Sequence, residues 1–569
     1  MLSRSGVVII SDNPSLSAAI SSAFSGPGQY VSVLEGPRLR RPDATSEVIR
    51  LVNVIGRLKP RLIIYADQPK EASQKIAEYI ETGVFHVNSA DDLRQLDFDF
   101  PVSPDLPPNE AAKELYRACS KPGRKRLAVV FENTGEIDSV IAANYAIARN
   151  ADLYSIEVPE NLVDDSVDLL NKISGSHPSV RETDINTLTD RVRSYLPIEL
   201  LEGDYLKIMF VTEGVPYSLA MSESSTIYAH KVNLGQHITH NLYDYMWGQQ
   251  EKRGVIGLFA GNARMDTEKE YELFTEALTK TRGLAKKLSL TDTQMSELEI
   301  STLPYDALYV ATHGSQIMGR QNKYTFSTKD AAVHEVITKE GVGVGGRVVF
   351  IHSIDGIEKE AAEWTKDNGR VWGEFIKKHI MTKNMPEPIE SEPAELRMRE
   401  LVLGEEPGMG SPIGFDRLAS AQRPLVIVNA CGSWTDLSTR FVYAGATAYI
   451  GTLWPIRDSV AVNFAKSFFD KVFDEELMSA FHGSRLSLTS RLDRIAYTMS
   501  GTFESKYDPG ADYSINAYEE IKDRLKINLA KTQERLDEAK KQGILKEVKE
   551  GILVDELFFK KEIAELENI

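Results

Sequence analysis

With 569 residues the chain exceeds what one hydrophobic core holds, and its 42% hydrophobic and 26% charged residues are those of an ordinary globular protein. A net charge of −17 argues against a general nucleic-acid binder, because phosphate binding wants a basic surface. Two cysteines, Cys119 and Cys431, exclude a disulfide framework and point to a reducing compartment. No metal-binding CxxC or HxxxH pair occurs, and nowhere do eighteen apolar residues run together, so neither a metal site nor a membrane span is expected. The opening MLSRSGVVIISDNPSLS lacks the long apolar region of a secretory leader, and a cytoplasmic location is expected.

Residues 1–100 alternate short apolar runs with helical stretches. Val7 to Ile10 is a buried-strand pattern, followed by the turn and cap signal Ser11-Asp12-Asn13-Pro14. Leu62 to Tyr65 repeats the design before Ala66-Asp67, and a helix is expected from about Glu71 to Glu81. Strands alternating with helices imply a parallel α/β sheet. In outline this segment resembles a response-regulator receiver, with Asp12 alone at its first strand end. A phosphorylation-controlled role through Asp12 or Asp67 needs an acidic cluster that the sequence does not display. A small docking or sensing domain is expected.

The Pro-rich stretch from Phe100 to Pro108 reads as part of a linker over 101–124. A second α/β unit over 125–250 has strands at Arg126–Phe131, Leu153–Val158 and Lys207–Thr212, and a helix from Asp138 to Ala151. A third unit over 251–505 opens with the strand Gly254–Ala260 and the helix Thr267–Arg282. Further strands are expected at Asp306–Thr312, Pro424–Ala430 and Ala446–Leu453, then a helix Ser459–Val472. The tail over 506–569 is helical and charged, with Ile521, Leu525, Leu529, Leu536 and Ala539 in one apolar stripe that is expected to pack on its own domain.

The chemistry concentrates at two strand ends. The strand Asp306–Thr312 runs into His313-Gly314, and Pro424–Ala430 runs into Cys431-Gly432. In an open parallel sheet active sites lie outside the carboxyl ends of strands, so neighbouring strands bring two such residues to one edge whatever their separation in sequence. A thiolate attacks a peptide carbonyl, and an imidazole beside it takes the thiol proton. Gly314 lets the backbone approach substrate, and its N–H with that of Cys431 forms a candidate oxyanion hole. Singly, Cys431 reads as a small buried hydrophobe and His313 as a satisfied strand-end histidine. Together, each before a glycine, they favour catalysis.

Four ordered motifs strengthen this: Leu308-Tyr309-Val310-Ala311-Thr312-His313-Gly314, Val426-Ile427-Val428-Asn429-Ala430-Cys431, Ala444-Gly445-Ala446, and Gly451-Thr452-Leu453-Trp454-Pro455-Ile456-Arg457-Asp458. Over residues 250–500 they resemble the CHAT domain, a caspase-like family related to caspases, separases and gingipains. The resemblance implies a caspase-like three-layer α/β fold with a parallel sheet, preceded by further α/β domains and followed by a helical tail. It implies a cysteine endopeptidase with His313 as base and Cys431 as nucleophile, and no metal or organic cofactor. The substrates would be specific proteins, in a bacterial defence or signalling pathway with an activating protein partner; the rival is an inactive caspase-like scaffold. By the same resemblance Asp458 is a substrate-binding candidate that favours a basic P1 residue; capping the following helix is the alternative. The 125–250 unit resembles the non-catalytic half that precedes the peptidase in gingipain and separase relatives.

The chain departs from the family in two places. Gly432-Ser433-Trp434 stands where a Thr-Gly pair is usual, and 117 residues separate His313 from Cys431. The insertion, about 320–420, has its own strand at Arg347–Ser353, a helix around Lys359–Trp364 and a Gly/Pro-rich end from Gly404 to Gly414. Loops this long are usually functional or disordered, and this one is expected to gate the substrate groove. Gly341–Gly346 precedes its strand and so is no dinucleotide loop. His230, His237 and His240 read as ordinary histidines, and Cys119 as incidental.

Overall fold

The computed structural model describes residues 3–36, 44–247, 256–261, 267–288, 300–378, 387–401, 418, 423–507, 517–541 and 553–564, apart from internal breaks of at most seven residues. Four parallel strands, β1 (Ser3–Ser11), β2 (Gln29–Leu34), β3 (Leu62–Ala66) and β4 (Gly83–Val87), form a sheet of order β2-β1-β3-β4. The first turn signal acts as expected. Asn13 caps the Pro14–Ser22 helix by accepting the Leu16 N–H at 3.1 Å, with Pro14 in the first turn. At the carboxyl ends of β1 and β3 a cavity of about 440 Å³ gathers Asp12, Asp67 and Asp105, an acidic group hidden by sequence distance. Asp12 is occupied by the Gly36 N–H and the Gln68 amide, and Asp67 by Asn13.

The main sheet has ten strands. They are β5 (Leu127–Glu132), β6 (Asp152–Ile156), β7 (Lys207–Thr212), β8 (Ser225–His230), β9 (Ile256–Gly261), β10 (Leu284–Lys287), β11 (Ala307–Ala311), β17 (Leu425–Asn429), β18 (Ala448–Thr452) and β19 (Tyr497–Ser500). The insertion supplies the intervening β12 (Gly314–Ser327), β13 (Val333–Gly343), β14 (Gly346–Ile354), β15 (Ile357–Glu358) and β16 (Glu390–Leu401). The order across the main sheet is β10-β9-β11-β17-β18-β19-β8-β7-β5-β6. Every neighbouring pair is parallel except β18 with β19. The 125–250 and 251–505 segments therefore share one sheet, joined where β19 meets β8 at Ser500 and Tyr228. The central strands are continuous apolar runs because both of their faces are covered. Ala307, Tyr309, Leu425 and Ile427 pack with Phe274 and Phe469 on one side. Leu308, Val310, Val426 and Val428 pack with Ile521 and Leu525 of the tail helix Ala517–Lys541 on the other.

The Pro-rich segment is docked onto the fold and is no free tether. Val102 is buried and donates its N–H to Ser22 Oγ, and Leu106 O accepts from Ser15. The helix that follows, Pro108–Cys119, ends at a Cys119 whose thiol burial pushes up. One core cluster runs from Val7 and Ile9 to Met499 and Tyr507, so the N-terminal sheet and the main sheet share apolar interior.

Their junction has an unusual feature. The Gly235 N–H donates to Glu35 Oε1 at 2.9 Å, and a Cβ at Gly235 would meet Val33 O at 2.0 Å, which only glycine avoids. Burial raises Glu35 to about 7, against the Gly235 N–H that lowers it, with Asp12 and Asp138 adding to the rise. Burial likewise raises Asp138 to about 7; Lys231 opposes the rise, while Glu136 and Glu132 add to it. A carboxyl whose folded pKa is raised stabilises the fold below its unfolded value, near 4.5, and that contribution is lost as pH climbs through about 7. Glu35→Gln keeps the acceptor and cannot ionise. The variant is expected to melt above wild type at pH 8, by on the order of 1–3 kcal/mol, with the gap closing towards pH 5. Buried His230, lowered to about 4 by its burial, acts in the opposite sense below pH 6.5, but it is common to both proteins and cancels from their difference. A stability gap that stays constant from pH 5 to 8 would exclude the carboxyl effect.

Candidate active site

β17 ends at Asn429, and Cys431 opens the turn beyond it, half-buried. Gly432 adopts φ +59, a left-handed conformation that favours glycine. Ser433 fastens the turn to β18. Its Oγ donates to Val428 O at 3.0 Å and accepts the Thr452 N–H at 3.0 Å. Thr452 Oγ1 donates to Ala430 O at 2.6 Å, and the Trp434 N–H donates to Thr452 O at 2.9 Å. Trp434 is fully buried, its ring centroid 4.6 Å from that of Tyr228. Gly432-Ser433-Trp434 thus gives the nucleophile turn its own internal bracing.

β11 and β17 are adjacent and parallel, with Ala311 opposite Asn429. These residues stand two positions before His313 and Cys431, respectively. His313 itself lies outside the described residues, as do the expected helix Lys359–Trp364 and the stretch Gly404–Gly414. Gly314 opens β12 and pairs with Leu401 at the end of β16. The insertion is therefore an antiparallel sheet, of order β15-β14-β13-β12-β16, rooted directly at the His-Gly strand end. It carries a core of its own in Tyr324, Phe326, Val336, Ile354, Val371 and Phe375, and the described helix there is Lys366–Phe375.

Asp458 is exposed and is the first residue of the helix Asp458–Phe469. The cap position belongs to Arg457, which makes no side-chain cap and pairs with Asp493 at 3.1 Å. Asp458 therefore favours the helix dipole from the first turn without capping it. Beneath the turn lies a buried polar group that sequence reasoning missed. Tyr309 Oη donates to Glu270 Oε1, Asn429 Nδ2 donates to the same oxygen at 2.7 Å, and Tyr497 Oη donates to Asn429 Oδ1 at 2.7 Å. The one available signal was Asn429, the single polar residue in an otherwise apolar strand; Glu270 had none.

Residues 389–498 match the family model described as CHAT domain. That segment is therefore similar to the CHAT domain. The match begins at the threshold of β16, spans β17 and β18, and ends within β19, so it holds Cys431, Asp458 and the turn that Ser433 braces. No curated protein matches the chain. The mixed α/β architecture, a mainly parallel sheet covered on both faces and followed by a helical region, is consistent with a caspase-like α/β fold. Among the described residues no group of three or more His, Cys, Asp or Glu side chains is placed to hold a metal. His237 is buried and His240 partly so, and both are held well below their ordinary pKa by desolvation and then by Arg423. Among the described residues no helix is long and apolar enough to cross a membrane.

Proposed function

We propose that the chain is a cytoplasmic cysteine endopeptidase that cuts specific protein substrates with Cys431 and His313. The observation that carries this reading is the Ala311–Asn429 register of adjacent parallel strands within a CHAT-containing sheet, two residues short of each group. His313 takes the Cys431 proton, the sulfur adds to the scissile carbonyl carbon, and the C–N bond breaks as His313 returns the proton to the leaving amine. Water then hydrolyses the thioester. The N–H groups of Gly314 and Cys431 stabilise the oxyanion; one such donor is typically worth about 2.7–4 kcal/mol. Asp458, exposed in the matched segment, offers a carboxylate to a basic P1 side chain.

The insertion gates this site, because its first strand begins at Gly314 and its last returns to pair there. An activating protein partner in a bacterial defence or signalling pathway relieves the gate. A thiol-reactive peptide probe tests the core of the reading. Labelling is expected to vanish in Cys431→Ala and to persist in Cys119→Ala. Absence of labelling in wild type under every activating condition would instead favour the inactive scaffold.

A further inference from the structure

Glu270 is a buried carboxylate for which the proposed reaction has no use. It sits in the first turn of the helix Glu268–Lys280, and its partners come from three strands: Tyr309 of β11, Asn429 of β17 and, through Asn429, Tyr497 of β19. Asn429 Nδ2 also lies 2.9 Å from Tyr309 Oη, and the Tyr497 ring stacks on Phe464 with centroids 3.9 Å apart. Every hydrogen in this chain is directed towards Glu270. Tyr497 gives its proton to Asn429, and Asn429 and Tyr309 both donate to the carboxylate, so these hydrogen bonds favour the anion at Glu270 against its burial, and Tyr497 has no proton left to donate upward.

The brace closes the strand that leads into the nucleophile turn, and Cys431 acts electrostatically on Tyr497. Ile427 and Tyr309 share the face that packs on Phe274 and Phe469, alternation puts Asn429 on that face, and Cys431 follows two residues on. The remaining ionisable groups that act on the brace are Asp458 on Glu270, and Asp493 and Cys431 on Tyr497. Asp458 adds to the rise that burial imposes on Glu270, and the hydrogen bonds from Tyr309 and Asn429 oppose that rise.

We infer that this brace is a positioning device that holds Cys431 in its resting state as the neutral thiol, Glu270 supplying the opposing charge and Asn429 and Tyr497 fixing the strand end. A second anion above the brace is disfavoured until substrate and His313 engage, which protects the thiol from adventitious oxidation between turnovers. Glu270, Tyr309, Asn429 and Tyr497 act through Cys431 and touch no substrate.

The inference rests on Cys431 being the nucleophile, but its readout needs no peptide. In the full chain carrying Cys119→Ala, the rate of iodoacetamide alkylation at Cys431 is followed from pH 5 to 10, with a thermal melt for each variant. Glu270→Gln keeps the Oε1 acceptor and removes the charge. Its alkylation midpoint is expected to move at least half a pH unit to acid, with roughly threefold faster alkylation near neutrality. Glu270→Asp restores the charge and is expected to stay near wild type. If Glu270→Gln loses its cooperative melt, Tyr309→Phe carries the same sign with a smaller shift, since it removes only one donor to the anion. An unchanged midpoint in a folded Glu270→Gln or Tyr309→Phe variant overturns the inference, as does Glu270→Asp shifting as far as Glu270→Gln. Failure of peptide-probe labelling alongside a shifted midpoint would sink the peptidase reading and leave the brace standing.

Discussion

Arg524→Ala is expected to cost about 3 kcal/mol of stability, because it removes a guanidinium partner from a buried carboxylate. Arg524 Nη1 lies 3.2 and 3.3 Å from the two oxygens of Asp306 and also donates to Pro304 O at 3.2 Å. Asp306 is only 2% exposed and stands at the entry to β11. Its Oδ2 accepts the Ile256 N–H, its N–H donates to Ile256 O, and its carbonyl accepts from Leu425. One residue thus ties β9, β11 and β17 at their amino ends, and the tail helix neutralises it. Without Arg524 the tail helix loses its polar anchor beside Ile521 and Leu525. Proteolysis of the tail should therefore accelerate together with the fall in denaturation midpoint. The double variant Arg524→Met with Asp306→Leu removes both charges and should recover part of the loss. A single variant as stable as wild type would show that Asp306 is solvated.

Excising Tyr324–Ile389 and joining Lys323 to Glu390 through an Asn-Gly turn is expected to leave a folded protein with an ungated Cys431. Lys323 and Glu390 are opposite each other in the β12–β16 ladder, so the shortened ribbon keeps its register from Gly314 and Leu401 upward. The excised piece takes with it the whole insertion core, from Tyr324 to Phe375, and the His334–Asp355 pair, without opening the main sheet. Labelling by the peptide probe should rise about tenfold or more without a partner, the equivalent of removing roughly 1.4 kcal/mol of closure. Unaltered labelling in the folded deletion would reject gating. Collapse of the main thermal transition would show instead that the insertion is part of the peptidase core.

Much of the main sheet was legible because its strands are unbroken apolar runs. Lys207–Thr212 agrees at both ends, and β11 and β17 each lie one residue inside the expected bounds. The tail stripe was equally readable, and Ile521 and Leu525 do pack on their own domain. Long-range pairing was not. Nothing local in Tyr497–Ser500 announces that it joins β18 to β8. The insertion was harder still, since β12 carries Gln321, Asn322 and Lys323 among its apolar residues and reads as polar chain. At the site, Cys431 stood out by chemistry and its neighbouring glycine. Ser433 and Thr452 did not, because a hydroxyl that bridges two turns leaves no pattern in sequence.

The single antiparallel pairing between β18 and β19 has a mechanical consequence. It turns half of the ten-stranded sheet end for end, so the carboxyl ends of β5, β7 and β8, with Glu132, Thr212 and His230, face away from the edge that bears Cys431. News of an event at one edge must cross a seam whose described ladder contact is Ser500 with Tyr228. That seam is stitched from the side: Ser500 Oγ meets His230 Nε2 at 3.0 Å and Trp434 Nε1 at 3.3 Å, three residues past the nucleophile. A small rotation of one half against the other would register first at Trp434, which makes the narrowest line in the sheet a natural fulcrum between its two edges.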